Sequence, residues 1–143
     1  MAKKPGNYSD GIRINTSGGR DGDGGSPNEG GAGSGGNAGA ATLYVGMGIS
    51  VSGAYSNGIT VLAAGGNGGI ALEDKDDVRY AGGNGGNGGA VVVHASGDIT
   101  ASGAGAMGIL INSSGGSVNT SSYYSQLRTA GSAGTVTSSA PAT

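Results

Sequence analysis

The feature that most constrains this chain is that it repeats itself at an interval near fifty residues. Three segments read as copies: residues 9–19 (SDGIRINTSGG), 56–66 (SNGITVLAAGG) and 106–116 (AMGILINSSGG). Each runs Gly, then Ile-x-Ile or Ile-x-Val, then small residues closing on Gly-Gly. The anchoring glycines Gly11, Gly58 and Gly108 lie 47 and 50 residues apart. A second element recurs at an offset of 50, where residues 35–53 align without gaps to residues 85–103. That alignment places Leu43 on Val93, Val45 on Ala95, Ile49 on Ile99, Ser50 on Thr100 and Ser52 on Ser102. A third, degraded copy begins near Gly131 with Gly134-Thr135-Val136-Thr137. One such unit cannot bury its apolar face alone, whereas stacked copies can.

Within each copy the apolar residues alternate: Ile12/Ile14, Leu43/Val45, Ile49/Val51, Ile59/Val61, Val91/Val93 and Ile109/Ile111. Alternation directs one set of side chains inward and the other outward, the pattern of short strands. The expected fold is therefore all-β, a β-solenoid with glycine-rich loops in which each strand pairs with its counterpart one coil along. Glycines after the strands are expected to supply positive-φ turns at the corners. A solenoid coil commonly takes roughly 20 to 25 residues, so each repeat is expected to make two coils. Residues 70–80 are the one glycine-free stretch able to form a helical turn, and read as a protruding loop.

Composition supports a thin core. Glycine supplies 35 of 143 residues, Phe, Trp and Cys are absent, and the six tyrosines are the only aromatics. Conventional layered domains lean on large apolar side chains, because burial scales with apolar area. Wholesale disorder is opposed by the low charge content, 11%, with a net charge of −2, and by the grouping of β-branched residues into alternating runs. The seven basic residues do not cluster beyond Lys3-Lys4, which leaves no electrostatic footprint for nucleic acid. No apolar run approaches the roughly 18 residues that span a bilayer. No apolar stretch follows the basic start Met1-Ala2-Lys3-Lys4-Pro5, so these residues carry no visible signal peptide.

Candidate chemistry is sparse. His94, the single histidine, alternates out of phase with Val91 and Val93 and has no partner motif, so it reads as a surface strand residue. The acidic run Glu73-Asp74-Lys75-Asp76-Asp77 lacks the spacing of a calcium loop, and Asp21-Gly22-Asp23-Gly24-Gly25 lacks the apolar residue a calcium-binding nonapeptide repeat requires. Both read as solvated loops. The glycine runs contain G-x-G-x-x-G many times over, but no helix follows to hold a phosphate. Close backbone approach, of a polyglycine type, is their plainer reading. Tyr123-Tyr124, with Leu127 and Arg128, suits a cap or a contact with a neighbour. The expectation is no catalytic residues, no cofactor, no metal, and no enzyme activity.

The string GGNGGNGGAVVVHASGDITASGAGAMGILINSSGG, residues 82–116, resembles the glycine-rich repeats of bacterial autotransporter passengers, and residues 35–66 match more loosely. Those repeats run from a glycine cluster through a β-branched strand and Ser-Gly-x-Ile to Gly-Ile-x-x-x-Ser and another cluster. The resemblance implies a right-handed parallel β-helix at the bacterial surface or in the matrix, exported through a separate C-terminal barrel. The expected organisation is an N-terminal polar segment (1–8), the repeats (9–116), and a divergent C-terminal strand and tail (117–143). The expected function is non-enzymatic, structural and adhesive, extracellular or at the cell surface, with end-to-end or lateral self-association into filaments and a host-cell or surface receptor as partners. Two alternatives stand beside it: a phage tail-tip receptor-binding adhesin with polyglycine packing, and an ice-binding solenoid. The last needs a regular Thr face, and the chain offers only Thr135-x-Thr137.

Overall fold

The structure is a computed structural model that describes residues 8–19, 32–70, 82–118 and 130–139. Every regular element among them is a strand: β1 (Ile12–Asn15), β2 (Ala41–Val45), β3 (Ile49–Val51), β4 (Ile59–Leu62), β5 (Val91–Ala95), β6 (Ile99–Ala101), β7 (Ile109–Asn112) and β8 (Val136–Ser139). They form three sheets, in the orders β1-β4-β7, β2-β5-β8 and β3-β6. All pairings are parallel. The fold class is thus all-β, with parallel strands.

The register is the repeat itself. Ile12 pairs with Ile59 and Ile59 with Ile109. Leu43 pairs with Val93 and Ile49 with Ile99, as the alignment of the two copies places them. The degraded third copy is a strand, with Val136 on Val91 and Thr137 on Val92. One expectation is corrected: each strand pairs with its counterpart in the next repeat, so fifty residues make one layer rather than two. The reason lies in the glycine-rich segments, which form packed structure of their own and take up the length a second coil was expected to fill.

The core sits in the middle of the stack. Ile59, Val61, Val91 and Val93 are fully buried, joined by Ala41, Val45, Ala63 and Ala95. Ile12, Ile14, Ile109 and Ile111 occupy the same inward positions in the outer layers but are only partly buried. An inward residue needs a layer on both sides to lose its last contact with water, and only β4 and β5 lie between two neighbours in their sheets. Each fully buried Val or Ile stabilises by roughly 1.5–3 kcal/mol, so the middle layer supplies most of the apolar term.

The corner glycines also depart from expectation. Among the described residues the left-handed region holds Tyr8 (φ 59°), Tyr55 (φ 55°) and Gly105 (φ 67°). These three occupy one turn position in successive repeats. Most of the other described glycines serve close approach of backbones rather than left-handed turns.

Candidate functional site

The glycine-rich segments before and after the strands alternate through the stack and bond to one another every third residue. Gly36 and Gly39 donate to the carbonyls of Gly19 and Thr16, and Gly66 and Gly69 donate to Gly36 and Gly33. Gly83, Gly86 and Gly89 then donate to Gly69, Gly66 and Ala63, all at 2.8–3.0 Å. The series continues from Gly116 to Gly86 and from Gly131 to Gly116. A second set runs between like segments of successive repeats, from Gly35 to Asn84, Ala38 to Asn87, Gly65 to Ser114 and Gly68 to Ser117. A spacing of three is that of the extended left-handed helix, which makes no internal hydrogen bonds and offers its backbone outward in several directions. The side-chain direction is filled by neighbouring backbone: a Cβ on Gly35 or Gly116 would fall on the Gly66 carbonyl, and one on Gly86 on that of Gly36. At these three positions no residue but glycine fits.

Asparagines punctuate the lattice and fasten one layer to the next. The Asn87 side-chain oxygen accepts the Ser132 N–H (2.9 Å), while Gly88, the residue after it, donates to the Ser132 carbonyl (2.8 Å). Asn67 grips Ser117 in the same way (2.9 Å and 3.1 Å), Asn57 grips Met107 (3.0 Å and 2.9 Å), and Asn37 grips Asn87 (2.7 Å and 2.8 Å). Asp10 grips Asn57 with a carboxylate oxygen in place of the amide oxygen (2.9 Å and 2.9 Å). Both polar groups of the gripped residue are satisfied by two consecutive groups of the layer before it. Asn57 also donates from its side-chain nitrogen to the Thr60 hydroxyl (3.1 Å).

The outward faces carry two aromatic ladders. Tyr44 on β2 stacks on His94 on β5, with ring centroids 5.1 Å apart and planes within 12°. His94 Nδ1 lies 2.8 Å from the Ser139 hydroxyl on β8, so one row crosses all three strands of that sheet. Tyr8 and Tyr55 stack at 5.2 Å and 9°. The far face of Tyr55 rests over Gly105, where a Cβ would meet the ring carbons at 2.6 Å. Tyr44 and Tyr8 are each 74% exposed. This surface suits stacking and hydrogen bonding with a partner.

His94 accordingly lies on the outward side of β5, opposite Val91 and Val93. Glu73–Asp77, Asp21–Gly25 and the Tyr123-Tyr124, Leu127, Arg128 group lie outside the described residues. The glycine clusters at 65–69 and 82–89 lie in the lattice, the first following β4 and the second preceding β5. Tyr44, Tyr55 and the asparagines carry no catalytic motif that would single them out in the sequence. The offset of 50 already set Tyr44 opposite His94 and Asn37 opposite Asn87. No known protein family, curated protein or solved structure matches the chain.

Proposed function

We propose that this chain is a non-enzymatic structural and adhesive module, a β-solenoid of one repeat per coil displayed outside the cell. The observation that carries this reading is the pairing of every strand with its own counterpart in the next repeat, which turns each outward position into a ladder along the stack. Such a surface is regular and carries few charges, suited to contact rather than chemistry. Self-association and a surface receptor are the partners it fits, and autotransporter passengers are the class it resembles.

A second reading has its own support. The three-residue bonding period of the glycine segments favours a receptor-binding adhesin of the phage tail-tip kind, in which packed polyglycine layers present variable loops.

Negative-stain electron microscopy across a range of concentrations, paired with retention of the labelled chain on cell surfaces, tests the proposal. Uniform fibres, or retention that falls when Tyr44 and His94 are both changed to serine, support a structural or adhesive role. Discrete particles that bind no surface would sink it.

A further inference from the structure

Three of the gripping asparagines are followed by glycine: Asn57-Gly58, Asn67-Gly68 and Asn87-Gly88. In a free chain this pair is the dipeptide most prone to deamidation, since no side chain hinders the following nitrogen. That nitrogen attacks the side-chain carbonyl carbon, a C–N bond forms, the bond to the amide nitrogen breaks and ammonia leaves. Water then opens the cyclic imide at either carbonyl, giving aspartate or isoaspartate.

In the stack both reacting groups are occupied by one residue of the next layer. The Asn67 oxygen holds the Ser117 N–H and the Gly68 nitrogen donates to the Ser117 carbonyl; Met107 does the same for Asn57 and Gly58, and Ser132 for Asn87 and Gly88. The amide and the nitrogen that would attack it are thus held apart across a residue. Each of these three Asn-Gly pairs lies in the second repeat, and each protecting residue lies in the third.

We propose that Asn57, Asn67 and Asn87 are conditional deamidation sites, shielded while the third layer is docked and converted by water when it parts. The products differ in consequence. Asp10 already makes the same grip with a carboxylate, so an aspartate product can dock again. An isoaspartate product adds a methylene to the main chain, which shifts the attacking nitrogen's position and breaks the two-bond match. Conversion to isoaspartate therefore records unstacking in one direction only.

The test incubates the full chain at mildly alkaline pH, native and in denaturant, and follows each site by peptide mass spectrometry with enzymatic detection of isoaspartate. Native conversion at all three sites should be slower by about tenfold or more, since it must await local opening of the layer. Equal rates in the two states would overturn the proposal without recourse to any variant. A Ser117→Pro chain, which removes the N–H held by Asn67, should speed Asn67 in the native state more than Asn57. If Asn67 stays as slow as in the unaltered protein, the grip is not what protects it.

Discussion

A glycine in this protein is defined by what stands where its side chain would be. At Gly86 a Cβ would fall on the Gly36 carbonyl, whereas at Gly46 nothing lies within 4 Å. Gly86→Ala should therefore destabilise by about 1–3 kcal/mol or more, as overpacking against backbone cannot relax by a rotamer change. Gly46→Ala should be neutral or stabilise by about 0.4–1 kcal/mol, because the unfolded chain loses freedom and the folded chain loses nothing. Denaturant titration of the two variants separates the roles. The asparagines invite a parallel comparison. Asn87→Ala removes the oxygen that holds Ser132 and should cost about 0.5–1.5 kcal/mol, while Asn87→Asp should cost less, since Asp10 fills the equivalent place with a carboxylate. Near-equal midpoints for the alanine and aspartate variants would show that the grip adds nothing.

At the scale of an element, the inward positions of equivalent strands differ in burial and therefore in energetic weight. Ile59 is fully buried between two neighbours, whereas Ile109, its partner in β7, is only partly buried. Ile59→Ala should cost about 2–5 kcal/mol, and Ile109→Ala markedly less, measured as a difference in unfolding midpoint. Equal losses would mean that the outer layer is as well covered as the middle one. The strands themselves were legible from alternation alone, and their partners from the repeat, because parallel stacking of like on like leaves only one register that aligns Ile12 with Ile59. The turn at Tyr55 was not. Glycine was expected to take positive φ, yet two tyrosines do so, at roughly 1–2 kcal/mol each. Their stacked rings offset part of that cost, since aromatic pairs contribute about 0.5–1.5 kcal/mol beyond area burial.

For the whole molecule, stability in a stacked array is approximately a sum of layer terms and interfaces between neighbouring layers. Only the middle layer has an interface on both sides. Native-state hydrogen exchange should accordingly find its slowest amides in β4 and β5, with those of β1, β7 and β8 exchanging sooner. Uniform protection across all three repeats would contradict a layered array and point to a single cooperative unit. The same gradient places the third layer among the first to open, the event that exposes the asparagines of the second.

The sequence by itself determined the strands, their inward faces and their pairing, because a period of two within a strand and a period near fifty along the chain are both one-dimensional signals. It also showed that the glycine clusters recur with the strands. Only the tertiary structure decided how many residues make a layer, since that depends on whether glycine segments loop out or pack. The tertiary structure also decided what the asparagines do. Their partners lie a full repeat away, and two hydrogen bonds to one residue arise only when the lattice brings the backbones into contact.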